Sequence, residues 1–300
     1  MTSITAIILT FNEEKHIARC IESLQSVCSR ICVVDSNSTD QTVEIAKGLG
    51  AEIMSHSWEN NYAKQLNWGI ENANIQSEWV LRIDADEYLS PALQSEIKDS
   101  LGSLNSNITG IEFTRKVYFK GKWIRFGGFY PIHLLRLWRS GKGLCEQRLM
   151  DEHIVLSEGE TMRFKGHVID ENLNSMHWWV LKHNNYARRE AADALNQKYQ
   201  FAFTTDLETT GNGQAQLKRI AKNSFYNQMP LGLRAILYFI FRFIFQLGFL
   251  DHPKVWIFHF MQGLWYRLLV DINIYEAEKA VNKDPEQVKS YIVDQWKIEI

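Results

Sequence analysis

The residues best suited to chemistry in this chain are carboxylates that follow short apolar runs. Asp84-Ala85-Asp86-Glu87 stands directly after Trp79-Val80-Leu81-Arg82-Ile83, Asp35 follows Ile31 to Val34, and Glu13-Glu14 follow Ile4 to Thr10. Carboxylates gathered in one place repel one another unless a cation or ligand donors compensate, and hard oxygen donors suit Mg²⁺ or Mn²⁺. Acids are also common in solvated loops and at helix N-caps, the reading that suits Asp40. The cluster of residues 84–87 closes an apolar strand and reads instead as functional. No GxGxxG follows the first apolar run and no GxxxxGK[ST] occurs, so neither a dinucleotide fold nor a P-loop is indicated. A diphosphate held at so acidic an edge needs a bridging divalent cation.

The elements that must position these acids alternate between strand and helix. Ile4–Thr10 is a β-branched run, and Ile17, Cys20, Ile21 and Leu24 then follow helical i, i+3, i+4, i+7 spacing. Residues 31–34 form a second strand, closed by the turn- and cap-rich run 35–40, and a helix continues over 42–49. Residues 51–54, 62–73 and 79–83 read as strand, helix and strand. Four apolar strands with helical crossovers imply a parallel, doubly wound α/β sheet covered on both faces. In such a sheet ligands bind beyond the carboxyl ends of the strands, which is where the acids stand. After Pro91 the pattern changes to a mixed segment with strands at 111–119 and 132–138. A helix follows over 177–201, and 204–213 reads as a linker or mobile loop.

Composition narrows the class. The formal net charge is −2, which argues against a nucleic-acid binder with a basic face. No charged n-region leads into an apolar stretch with a cleavage site, so a cytoplasmic protein is expected. Cys20, Cys28, Cys32 and Cys145 form no CxxC pair and are expected to be reduced and buried.

The run Ile7-Ile8-Leu9-Thr10-Phe11-Asn12-Glu13-Glu14, then Val33-Val34-Asp35-Ser36-Asn37-Ser38-Thr39-Asp40-Gln41-Thr42, then Asp84-Ala85-Asp86-Glu87, resembles glycosyltransferase family 2. The resemblance covers about the first ninety residues and implies inverting chemistry on a GT-A fold. Met150-Asp151-Glu152-His153-Ile154, and Trp178-Trp179 through residues 182–187, also resemble a bacterial branch associated with lipopolysaccharide core and exopolysaccharide assembly. The resemblance implies that Thr10, Asn12 and Glu13 line the nucleotide pocket, that Asp35 hydrogen-bonds the base, and that Asp84 lies near ribose and diphosphate. It assigns the metal to Asp86. Lys64 and Asn67 occupy a stretch where the family often has a basic residue and an asparagine, although a solvated helix face explains them equally. Inverting transfer needs one base, for which Glu152 is the first candidate and its neighbour Asp151 the second; a helix-start carboxylate is the alternative for Glu152. His167 is a candidate late metal ligand, or simply structural. Arg136, Arg139 and the helix carrying Lys182 and Arg189 are candidate contacts to phosphate or acceptor, or simply the exposed faces of a strand and a helix.

The aromatic C-terminal third is a separate matter. Eleven of the aromatic residues fall between Tyr238 and Tyr266. The stretch 229–250 has the length and apolar character of a membrane span, but Arg234 and Arg242 lie inside it. With Tyr238 and Gln246 they form an i, i+4 stripe, and Leu237, Phe241, Ile244 and Phe245 fall off it. The expectation is an interfacial helix whose arginines meet lipid phosphate on the inner face of the cell membrane. The expected organisation is a catalytic unit over 1–203, its nucleotide-sugar half 1–100 and its acceptor half 101–203, followed by a helical, membrane-associating region over 214–300. The expected partners are a nucleotide-sugar donor, a saccharide or polyprenyl-linked acceptor and a membrane surface. The rival readings are a sugar-nucleotide nucleotidyltransferase, which would release pyrophosphate, and a non-enzymatic membrane-docking protein, which leaves the acidic edge unexplained.

Overall fold

The computed structural model describes residues 2–146, 152–201 and 226–298. The expected linker over 204–213 and the second candidate base, Asp151, lie outside the described residues. Four parallel strands open the chain: β1 (Ile4–Thr10), β2 (Arg30–Asp35), β3 (Glu52–Ser55) and β4 (Trp79–Asp84). Their crossovers are α1 (Ile17–Leu24), α2 (Thr42–Gly48) and α3 (Tyr62–Asn72). Ile17, Cys20, Ile21 and Leu24 are fully buried on one sheet face with Ile4, Ala6, Ile8 and Val33, so the helical spacing read from the sequence is the packed face. α3 covers the other face, setting Ala63 and Leu66 against Ile7, Val34 and Val80. The sheet is therefore doubly wound, and its strands are apolar on both sides because both sides are buried.

The mixed extension makes up the other half of the same sheet. A short β5 (Glu87–Leu89) and α4 (Pro91–Ser100) lead into β6 (Ile108–Phe119), which turns at Lys120-Gly121 into β7 (Lys122–Trp123); β8 (Ile132–Arg139) follows. β9 (Gly143–Cys145) and β10 (Ile154–Leu156) form a separate antiparallel pair, and β11 (Glu160–Glu171) returns to the main sheet. The strand order is β3-β2-β1-β4-β8-β6-β11-β5. β8 runs antiparallel to both β4 and β6, whereas β11 is parallel to β6. One reversed strand between two groups leaves β6 and β11 running in the same sense as β1–β4. All their carboxyl ends consequently meet along one edge. This is a GT-A-like α/β arrangement with a mixed, curled sheet.

Beyond the sheet, α5 (Met176–Tyr199) begins at Ser175, whose hydroxyl accepts from the Trp178 N–H. The later helices are α6 (Leu233–Ile240), α7 (Pro253–Phe260), α8 (Tyr266–Ala280) and α9 (Pro285–Tyr291). α8 packs Tyr266, Val270 and Ile274 on Ala187, Ala191 and Leu195 of α5. A wide turn over Phe241–Phe245 prolongs α6, and another over Met261–Trp265 joins α7 to α8. None of the described helices is long and apolar enough to cross a membrane.

The arginine stripe of the C-terminal region faces inward, contrary to expectation. Arg234 is 4% exposed and pairs with Asp271 of α8, Nε to Oδ1 at 2.7 Å. Arg242 stacks 3.8 Å over the Phe129 ring, donates to the Gly127 carbonyl, and reaches the Tyr238 hydroxyl at 2.9 Å. A guanidinium leaves water only for good partners, and these carboxylate, carbonyl and aromatic groups supply them. Ile236, Leu237, Phe241, Ile244 and Phe245 are the exposed side of the same helix. Arg234 is thereby withdrawn from any lipid phosphate, and Arg242 spends its Nε and Nη1 on the protein.

Candidate active site

The loops after β1 and β2 are built together. Asn12 takes a left-handed backbone (φ 56°), tolerable for asparagine, and so does Asn37 (φ 61°). The Asn12 N–H donates to Ser38 Oγ at 2.9 Å, and its side-chain oxygen accepts from the Thr39 N–H at 2.8 Å. Thr10 donates its hydroxyl to Asp35 at 2.9 Å, and Asp35, 3% exposed, also accepts from the Ser38 N–H at 2.8 Å. Asp35 is thereby pinned at the sheet edge, with its carboxylate the organising acceptor of the loop. Glu13 holds His16 at 2.6 Å. Because His16 Nε2 accepts from the Leu173 N–H at 2.8 Å, its proton sits on Nδ1 and is donated to Glu13. The tail of β11 is so tied to the loop after β1.

These loops line a cleft of about 1230 Å³. Thr10, Asn12, Glu13, Asp84, Asp86 and Glu152 all face it, although they come from opposite ends of the first 152 residues. Asp35, buried beneath its loop, does not, and neither do Lys64 and Asn67. Lys64 is exposed beside Glu59, and Asn67 bridges α3 to β9, donating to the Cys145 carbonyl and accepting from its N–H at 2.9 Å each. The asparagine is structural because both halves of its amide are spent on one backbone. His167 also stays out of the lining, its Nε2 3.1 Å from the Tyr130 hydroxyl and its ring stacked on Tyr130. Burial lowers its pKa. A role in holding metal is not supported for it.

The acidic motif is balanced by arginines from its own strand and from neighbouring ones. Asp84 accepts from the Tyr62 hydroxyl and, at 3.3 Å, from Arg136 of β8; Arg82 lies 3.8 Å away. Burial opposes its charge, but Arg82 and Arg136 outweigh that and hold its carboxyl well below the usual range. Glu87 is 2% exposed, 2.6 Å from Arg136, and accepts from the Asp84 N–H at 3.1 Å. Burial pushes its carboxyl up to about 7 despite Arg136. Asp86 accepts from the Asn172 amide at 3.0 Å. Asp170, on β11 and 3.5 Å from Arg115, is pushed up to about 6 by burial, with Asp86 and Asp84 adding to the shift against Arg115.

Across from these acids stands α5. Lys182 lies 4.7 Å from the centre of the Trp178 ring. Burial works against its charge, yet Tyr186, Asp86 and Glu13 overcome this and raise its pKa. Trp178, Trp179, Tyr186 and Arg189 complete the wall. Sequence reasoning singled out Arg136 and the Lys182 helix, but it also named Arg139, which pairs with Glu78 outside the cleft lining, and it missed Arg82, Asp170 and Asn172. Arg82 had a signal, since a lone arginine inside a buried parallel strand requires a partner. Asp170 after Val168-Ile169 repeats the pattern of Asp84 after Leu81-Arg82-Ile83.

No cluster of three or more His, Cys, Asp or Glu with metal-binding spacing exists among the described residues. The donor set still fits Mg²⁺ or Mn²⁺. Such ions are commonly held by one or two carboxylates, with substrate phosphates and water completing the shell. Asp86 has one oxygen engaged by Asn172 and stands on the cleft wall with Asp84 and Asp170.

The model of glycosyl transferase family 2 matches residues 5–148. The lipopolysaccharide core biosynthesis glycosyltransferase LpsC of Rhizobium meliloti is 30% identical over 206 residues, covering 63% of this chain and 70% of LpsC. The chain belongs to glycosyltransferase family 2. Among other relatives of this family 2 chain is an uncharacterized glycosyltransferase of Rickettsia typhi, 42% identical over 107 residues and 36% of each protein. The family 2 chain thus spans about a third of the length of that Rickettsia relative. Glucosyl-3-phosphoglycerate synthase from Mycobacterium tuberculosis, solved with Mn²⁺, UDP and glucosyl-3-phosphoglycerate, is 22% identical with a TM-score of 0.31, covering 40% of this chain and 45% of that one. That likeness is too distant to assign any residue.

Proposed function

We propose that this chain moves a sugar from a nucleotide-diphosphate donor to a saccharide or lipid-linked acceptor with inversion, in the building of cell-envelope polysaccharide. The observation that carries the reading is one cleft in which Thr10, Asn12 and the Asp84–Asp86 motif meet Glu152 and the cationic α5. LpsC, by its name, acts in lipopolysaccharide core assembly, which supports the envelope setting. Residues 1–203 form the catalytic unit in this reading, and 214–300 the helical region built onto it.

The loops after β1 and β2, held in shape by Asp35, receive the base and ribose. Asp86 would hold the divalent cation, which when bound would offset charge developing on the departing diphosphate. Arg82 and Arg136 keep Asp84 ionised beside it, and Lys182 faces Asp86 and Glu13 from α5, where a diphosphate would lie between opposite charges. Glu152 takes the proton of the acceptor hydroxyl as its oxygen bonds to the anomeric carbon. The bond from that carbon to the diphosphate breaks, and the nucleoside diphosphate leaves with the electron pair.

The test is product analysis after incubating the purified chain with Mn²⁺ and a panel of nucleotide sugars. Release of a nucleoside diphosphate, by transfer or slow hydrolysis, is the expected result. Pyrophosphate release would mark a nucleotidyltransferase instead, and no turnover with any donor would remove the reading.

A further inference from the structure

The largest feature the catalytic reading leaves unused is an apolar surface on the C-terminal helices. Ile236, Leu237, Ile240, Phe241, Ile244 and Phe245 project from α6 and its wide turn, with Phe245 71% exposed. Leu247, Phe249 and Leu250 continue the surface, and Trp256, Ile257 and Phe260 carry it along α7. Isolated exposed hydrophobics need no explanation, but a contiguous run over two helices and their connection does.

Charge identifies the occupant. Asp251 and Asp271 are the only acids between residues 226 and 275, and both are buried, paired with His259 and Arg234. The surface of this segment therefore carries no carboxylate. Its exposed cation is Lys254, and Arg125, whose backbone N–H donates to Asp251 at 3.0 Å, stands exposed beside it. An apolar face free of negative charge and rimmed by cations suits an anionic lipid headgroup layer over its hydrocarbon. A water-soluble protein partner would have no comparable reason to exclude every acid.

The surface also adjoins the cleft. Phe258 and Gln262, on the inner side of α7 and its continuation, line the cleft together with Phe119 and Phe129. The Phe258 ring lies 4.9 Å from Phe129 and 5.5 Å from Phe119. One helix thus has its outer side on the apolar surface and its inner side on the cleft wall.

We propose that the outer face of α6, residues 241–250 and α7 docks into an anionic lipid monolayer and so sets the cleft beside the membrane. The docking stands on the surface alone; its use, delivery of a lipid-linked acceptor, rests on the transferase reading above. The arginines of α6 take no part in the contact, and the insertion is made by aromatic and aliphatic side chains with Lys254 and Arg125 at the rim.

Flotation of the full chain with vesicles tests it, using phosphatidylcholine with and without phosphatidylglycerol. The chain is expected to float with the anionic vesicles, more weakly with neutral ones, and to be stripped by carbonate. Phe245→Asp combined with Ile257→Asp removes two exposed side chains outside the cleft, and should cut binding about tenfold or more, since aspartate is far costlier than phenylalanine or isoleucine in a bilayer. Melting temperature and stabilisation by Mn²⁺ with nucleoside diphosphate, measured without vesicles on the same samples, should stay unchanged, which separates this proposal from the catalytic one. If that pair does not fold, quenching of tryptophan fluorescence by brominated lipid decides, with part of it lost in Trp256→Phe. Full chain that does not float, a double variant that floats normally, or quenching that survives Trp256→Phe intact would overturn the proposal. So would a stable dimer that the same substitutions split while the wild-type chain ignores lipid.

Discussion

At the scale of the residue, two carboxylates carry different parts of the work and should fail differently. Asp86→Asn keeps the size and the hydrogen bond to Asn172 within reach but removes the charge a hard cation needs. Mn²⁺-dependent donor turnover is expected to vanish with the melting temperature little changed; near-normal turnover would take the metal from Asp86. Glu152→Gln should still bind donor and metal, because only the proton acceptor is lost, while transfer falls by ~10²–10⁴. Binding measured by thermal shift alongside turnover separates the two outcomes, and full activity would place the base elsewhere. Asp170 offers a pH test. Its folded-state pKa is raised from the ordinary 3.8 to about 6, so between these values the folded protein holds a proton that the unfolded chain has released. Stability therefore falls as pH rises through that window and levels off above it, by about 2–3 kcal/mol at most, since a quarter of the side chain stays exposed and screened. Metal-free melting curves from pH 4 to 7 should show this slope in the wild type and a flatter one in Asp170→Asn; equal slopes would mean that Asp170 titrates normally.

At the scale of the element, β11 has the most demanding position. It inserts between β6 and β5, changes register between Arg163 and His167, and still delivers Asp170 and Asn172 to the cleft. Gly166 makes that possible. A Cβ there would overlap the backbone of Leu93, the residue where α4 crosses the strand, and backbone cannot step aside as a flexible side chain can. Gly166→Ala should therefore destabilise by about 1–3 kcal/mol through overpacking. Donor binding should weaken as well, because Asp170 moves with its strand. Denaturant titration gives the first quantity and thermal shift the second; a variant as stable as wild type would show that α4 moves freely on the sheet.

At the scale of the whole molecule, the cleft is walled by both halves of the sheet and by α5, with Phe258 and Gln262 contributed from the C-terminal helices. A donor–metal complex seated there binds only the assembled chain. Ligand at a hundred times its Kd would add about 2.7 kcal/mol of apparent stability. A nucleoside diphosphate with Mn²⁺ should accordingly raise the melting temperature by several degrees, well beyond either component alone. Equal shifts from nucleotide alone and nucleotide with metal would mean that the cation does not bridge the phosphates.

Much of this was written in local pattern. The first four strands, their crossovers and the long helix of α5 follow from apolar periodicity, which depends only on neighbours along the chain. The carboxylates at the strand ends were legible for the same reason: an acid that stops an apolar run must face an edge. Tertiary structure alone decided the rest. Asp170 reaches the site because one reversed strand, β8, lets β11 run in the same sense as β4, and strand order has no local signature. Asn67 and His167 carry groups able to bind ligands, but Cys145 and Tyr130, distant in sequence, take up their hydrogen bonds. Spacing alone places Arg234, Tyr238, Arg242 and Gln246 on one helix face but does not give the direction of that face. Periodicity separates the two faces of a helix without saying which is inward. Asp271, thirty-seven positions further along, and the ring of Phe129 decided that, by giving the guanidinium groups a better home than water.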